Sequence, residues 1–122
     1  MSTIRPGTTH RQTVTVTSEL SPAHLAPVVV LSTPEMIRLM EETCTAAVQP
    51  LIEGNDQTTV GTHVDVSHES AAREGDQVEI SCELLEVDGR RLTFSVEARI
   101  GEQIVGRGTH RRHVIDRARF RT

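Results

Sequence analysis

Between residues 36 and 51 the apolar side chains Met36, Ile37, Leu39, Met40, Cys44, Ala47, Val48 and Leu51 recur three and four positions apart, whereas before and after this stretch the apolar period is two. The first spacing keeps one stripe of a helix apolar, and the second keeps one face of a strand apolar. A helix of about four to five turns is predicted from Pro34 to Pro50. Pro34 suits its first turn, where no N–H is needed. Ser32 and Glu35 have the spacing of a capping box, while Thr33, directly before the proline, could itself be the cap.

The period-two segments read as strands. Residues 10–17 form a first β-branched run; Pro22 and Pro27 then break regular structure, giving an ordinary connector or, less simply, a loop over a pocket. After the Gly54-Asn55-Asp56 turn, Val60, Thr62, Val64 and Val66 alternate on one face and His68 continues that inward phase, with His63 on the other face. Val78 to Leu84 alternates, Asp88-Gly89 is a hairpin turn, and Leu92 to Ile100 alternates again. Gly101-Glu102 supplies another turn before a last strand from Ile104 to Ile115. Gly106 and Gly108 lie on one face of that strand and leave room for something close, most simply the helix. One strand, one long helix and four successive strands predict an α+β fold, an antiparallel sheet of about five strands wrapped around one central helix; a flatter α+β roll is the competitor.

Composition adds further expectations. A chain of 122 residues is read as one domain, 1–122, whose modest core gains from pairing with a second copy, so a homodimer is expected and a tetramer is open. With no Trp, no Tyr and two Phe, any substrate pocket must be aliphatic. A net charge of −4 gives no field for nucleic acid, and the arginines from Arg107 to Arg121 read as a solvated strand edge and tail, with a polyanion site as the alternative. Cys44 and Cys82 lack metal spacing and read as reduced core residues. His63 with His68, and His110 with His113, fall on opposite strand faces, so no metal is expected and no cofactor is implied. The absence of an apolar leader or spanning stretch points to a cytoplasmic protein that does not enter membranes.

Chemistry enters through helical phase. At about 100° per residue from Met36, Glu41 falls near ~140°, at the border of the apolar face, and Glu42 near ~240°, toward water. Glu41 therefore joins Thr33 at the helix start and the inward-facing His68 as the candidate reactive set. A hydroxyl, a carboxylate and an imidazole are the groups acyl transfer uses.

Several segments together resemble the fluoroacetyl-CoA thioesterase-like branch of the hot-dog superfamily: Leu39-Met40-Glu41, Gly61-Thr62 leading to His68, Val87-Asp88-Gly89-Arg90-Arg91-Leu92, and Gly106-Arg107-Gly108-Thr109-His110. The resemblance implies a hot-dog fold and hydrolysis of an acyl-CoA or acyl-carrier thioester at Thr33, Glu41 and His68. It also implies that Gly61 lies against the acyl group and that Arg112 lies near substrate and carrier. The loop from Ser21 to Val30 departs from the family, because it lacks the phenylalanines that cover a fluorinated acyl group there. An unfluorinated acyl thioester is the expected substrate. The competing readings are a non-catalytic acyl-CoA or small-ligand binding module and a hydratase; the second lacks its Asp-then-His pattern on the helix.

Overall fold

The computed structural model describes residues 3–120. Ser32 settles the helix start: its hydroxyl accepts the backbone N–H of Glu35 at 3.1 Å, and helix α1 runs Thr33–Ile52. Glu35 turns its carboxylate to Arg38, at 2.9 Å, so only half of a capping box forms. Because Ser32 is the cap, the Thr33 hydroxyl is released for other work. The helix passes Pro50, where the sequence pattern stopped it, because Ile52 is drawn into the core at 5% exposure.

Five strands follow the predicted order: β1 (Thr9–Thr15), β2 (Gln57–His68), β3 (Gln77–Asp88), β4 (Arg91–Ile100) and β5 (Gln103–Asp116). All neighbours are antiparallel in the order β1-β3-β4-β5-β2. Helix α1 touches β1, β2, β3 and β4, so the sheet wraps it, as the hot-dog arrangement requires and a flat roll does not. Val78, Ile80, Leu84, Leu92, Phe94 and Ala98 line the sheet's inner face with no exposure, and Met36, Met40, Cys44 and Val48 meet them from the helix. A Cβ on Gly106 would collide with the Met36 sulfur, so this glycine does make room for the helix.

The buried arc of α1 extends through Leu39 and Thr43 and leaves Ile37 only half-buried. Glu41 is half-buried at the same border as Ile37, whereas Glu42 is exposed and bonded to Arg38 at 2.9 Å. Phase arithmetic thus placed both carboxylates correctly.

Strand β2 corrects the simple alternation. A bulge between Gly61 and His63 shifts its register against β5. Before it, Thr59 and Gly61 lie opposite Val114 and Arg112; after it, Val64, Val66 and His68 lie opposite His110, Gly108 and Gly106. These pairs share the helix-side face, so Val60 and Thr62 do not belong to it. His68 does face inward, but because the bulge resets the phase.

The arginine cluster is mostly paired: Arg107 with Glu69 at 2.9 Å, Arg117 with Glu53 at 2.6 Å and Arg119 with Asp116 at 3.9 Å, while Arg112 is buried. Arg121 lies outside the described residues. Cys44 and Cys82 are free and buried at the helix–sheet contact. Their mutual hydrogen bond and burial push the Cys44 thiol up. Among the described residues no helix is long and apolar enough to cross a membrane, and no three metal-ligating side chains come together.

Candidate active site

Two groups of polar side chains sit on the helix-facing side of β2. The first joins the ends of two elements. Thr33 opens α1, His68 closes β2, and Thr33 Oγ1 lies 2.7 Å from His68 Nδ1. The other ring nitrogen, Nε2, is buried and has no hydrogen-bond partner among the described residues. A cavity of about 450 Å³ opens beside this pair, lined among others by Pro22, Leu25, Val30, Leu31, Ser70 and Ala71. The proline-containing loop therefore borders a pocket: Pro22, Leu25, Val30, Leu31 and Ala71 supply its apolar wall, and Ser32, Thr33, His68, Glu69 and Ser70 its polar one.

The second group surrounds Glu41. Its Oε1 lies 3.5 Å from Arg112 Nη1 and 3.8 Å from His110 Nε2. Arg112 is 7% exposed and is held from several sides. Its Nε donates to Thr59 Oγ1 at 2.7 Å, its Nη2 to the Thr59 carbonyl at 3.1 Å, and its Nη1 contacts His110 Nε2 at 3.0 Å. Burial pushes the guanidinium down from its usual range, and the neighbouring Glu41 carboxylate opposes that. Arginine remains charged throughout. His110, 1% exposed, places Nδ1 2.8 Å from the His63 carbonyl, and burial pushes its imidazole below the usual histidine range.

Gly61 closes this second group from the strand side. A Cβ there would lie 2.6 Å from Glu41 Oε1, 3.2 Å from His110 Cε1 and 3.3 Å from Arg112 Nη1. Only a glycine lets the carboxylate and guanidinium approach the β2 backbone this closely.

Of the five residues singled out from sequence, Thr33 thus meets His68, and Glu41 meets Gly61 and Arg112. The two groups remain apart within one chain. Thr33 and Glu41 are eight residues apart on one helix, which is roughly 12 Å along its axis. His110 and Thr59 went unremarked as site residues. His110 was weighed only as a metal ligand, although its two-residue spacing from Arg112 puts both on one strand face, and the bulge hid the inward phase of Thr59.

Comparisons with known proteins bear on the family and the fold. The family model for the fluoroacetyl-CoA-specific thioesterase FlK matches residues 8–118. The fluoroacetyl-CoA thioesterase of Streptantibioticus cattleyicolor is 38% identical over 91 residues, which cover 75% of this chain and 65% of that relative. A solved structure of the fluoroacetyl-CoA thioesterase FlK superposes with a TM-score of 0.87 at 32% identity, covering 97% of this chain and 93% of the other. A thioesterase superfamily member from Thermus thermophilus has a TM-score of 0.87 at 24% identity, covering 98% and 90%, and so shows the shared fold. With the family model matching residues 8–118 and the fold shared over 97% of this chain, the chain belongs to the fluoroacetyl-CoA-specific thioesterase family.

Proposed function

We propose that this protein hydrolyses an acyl-CoA, or a related acyl-carrier thioester, in a homodimer whose site combines Thr33 and His68 of one protomer with the partner's Glu41. The observation that carries this reading is the His68 imidazole, fixed at Nδ1 by Thr33 and left at the edge of a cavity with a buried Nε2 that has no hydrogen-bond partner among the described residues. When Nδ1 carries the proton and donates it to Thr33 Oγ1, the Nε2 lone pair is free to accept a proton from water. The same nitrogen can then return that proton to the departing thiolate. The products are a carboxylic acid and a free thiol.

The dimer follows from the open edge of the sheet. Strand β2 is the terminal strand, its backbone beyond β5 is unpaired among the described strands, and Val64 on its inner face is 40% exposed. An apolar strand edge of this kind favours pairing with another strand. Antiparallel pairing of two β2 copies about a two-fold axis at Asp65, with the bulged Thr62 left out of the register, keeps inner-face residues opposite one another and sets His68 opposite the partner's Gly61, and so next to the partner's Glu41. The separation of the two groups within one chain is then resolved across the interface. In this arrangement Glu41 either attacks the thioester carbonyl, forming an anhydride that water opens, or orients the attacking water; hydroxylamine trapping of the anhydride in a rapid quench separates the two.

The aliphatic wall of Leu25, Val30 and Leu31, with no phenylalanine among the residues that line the cavity, supports an unfluorinated aliphatic acyl group as substrate. The two unpaired cysteines fit a reducing cytoplasm. Complementation between two inactive variants tests the whole reading. Glu41→Gln and His68→Ala proteins, each inactive alone, are refolded together; random pairing makes half of the dimers mixed, each with one intact site, so about a quarter of wild-type thiol release returns. No recovery in demonstrably mixed dimers overturns the shared site. Acyl-CoA binding without thiol release by the wild type, across short, branched and aromatic acyl groups, overturns hydrolysis in favour of a binding module.

A further inference from the structure

His110, buried at 1% exposure, lies apart from the cavity and from the Thr33–His68 pair. His110 Nε2 faces Arg112 Nη1 at 3.0 Å, and a guanidinium has five N–H donors and no acceptor. Nε2 must therefore accept. His110 Nδ1 faces the His63 carbonyl at 2.8 Å, and a carbonyl can only accept, so Nδ1 must carry the proton. One neutral tautomer satisfies both contacts. Arg112 Nη1 has two hydrogens, one for His110 and one for Glu41, 3.5 Å away.

We propose that His110 is a positioning residue, which in its neutral Nδ1–H form accepts from Arg112 and so aims the guanidinium at the Glu41 carboxylate. This inference builds on the proposed role of Glu41 in thioester hydrolysis. Its physical logic is the fixing of a planar donor. Thr59 holds one side of the guanidinium through Nε and Nη2, and without His110 the remaining side would be held only by Glu41, whose side chain is 39% exposed. With His110 in place the cation is set before substrate arrives, and the carboxylate has a fixed partner.

Protonation dismantles the arrangement. A charged imidazole carries N–H on both nitrogens, so Nε2–H would point at Nη1 and two donors and two cations would meet. The groups facing His110 are Arg112 from its own strand, Glu41 from α1 and the His63 residue of β2; its partner on β4, Phe94, does not titrate. Burial favours the neutral form that the geometry requires.

Two substitutions of similar size and polarity divide the two contacts. In His110→Gln the amide oxygen reaches the place of Nε2 and can accept from Arg112. In His110→Asn the shorter amide reaches only the place of Nδ1 and can serve the His63 carbonyl. The expected result is kcat/KM within about threefold of wild type for the Gln variant. For the Asn variant a loss of about tenfold to a hundredfold is expected, carried by kcat, with melting temperatures of the two variants alike. Two measurements need no activity: long-range 15N–1H spectra should show the Nδ1–H tautomer of His110 in the wild type. The Arg112 Nη protons should be resolved in the wild type and the Gln variant, and averaged in the Asn variant. An Nε2–H tautomer, or equal behaviour of the two variants in both kcat and the Arg112 spectrum, overturns the proposal. If the wild type releases no thiol, the thioesterase reading fails on its own, and the Arg112 spectra still decide whether His110 positions the guanidinium.

Discussion

Replacing Gly61 by alanine separates the cost to activity from the cost to stability. The new methyl would sit 2.6 Å from Glu41 Oε1, where ordinary contact begins at 3.4 Å, so the carboxylate must move by about 0.8 Å. The atoms it meets next, His110 Cε1 at 3.2 Å and Arg112 Nη1 at 3.3 Å, are also side-chain tips and need to give only slightly. Gly61 is not among the glycines at positive φ, so alanine meets no backbone penalty, and removing a strand glycine lowers the entropy of the unfolded chain by an amount worth roughly 0.4–1 kcal/mol. Stability should therefore stay within about 1 kcal/mol of wild type. Activity should not, because displacing a reacting carboxylate by close to 1 Å costs on the order of a hundredfold, or about 2.7 kcal/mol in the barrier. The assay is thiol release from an acyl-CoA, paired with urea unfolding of the same preparation. A Gly61→Ala protein that unfolds like wild type and keeps kcat/KM within about twofold would refute the placement of Glu41 in the reaction.

Thr33 and Ser32 are adjacent but should fail differently. Thr33→Val removes the 2.7 Å contact to His68 while Ser32 still caps the helix, so thiol release should fall about tenfold or more with little change in melting, and Thr33→Ser should restore it. Ser32→Ala should instead cost about 1 kcal/mol of stability in urea unfolding, the usual worth of an N-cap. The depressed His110 also predicts a pH dependence of folding. The unfolded chain takes up this proton near pH ~6.5, the folded chain only at lower pH, so stability is lost as pH falls from about 6.5 through the folded value. Chemical unfolding between pH 5 and 7 should show a shallower decline for His110→Gln, and identical slopes would remove this linkage. Val64→Glu, at the exposed edge of β2, should yield folded monomers without thiol release; an active monomer by sedimentation and assay would contradict the shared site.

The reach of the sequence differs among these residues for physical reasons. Helical phase is cumulative and local, so it picked Glu41 over Glu42 without any knowledge of partners. The choice between Ser32 and Thr33 as cap was open because both hydroxyls stand at the helix start; what decides it is the imidazole that arrives from 35 residues away to occupy Thr33. Strand parity placed His68 inward, yet it assumed an unbroken β2, and the bulge at Gly61 to His63 is a property of pairing with β5. Arg112 could be assigned to the substrate side only through resemblance, and its buried contacts to Thr59 and His110 link residues that no periodicity connects.

The amino-acid pattern by itself determined the element order, the apolar stripe that seats α1 and the place of Glu41 at the border of that stripe, because each of these depends on spacings within an element. Tertiary structure decided which of the candidate side chains meet. An eight-residue offset along a rigid helix holds Thr33 and Glu41 about 12 Å apart, so one chain gathers hydroxyl with imidazole and carboxylate with guanidinium, along the strand that ends the sheet among the described residues.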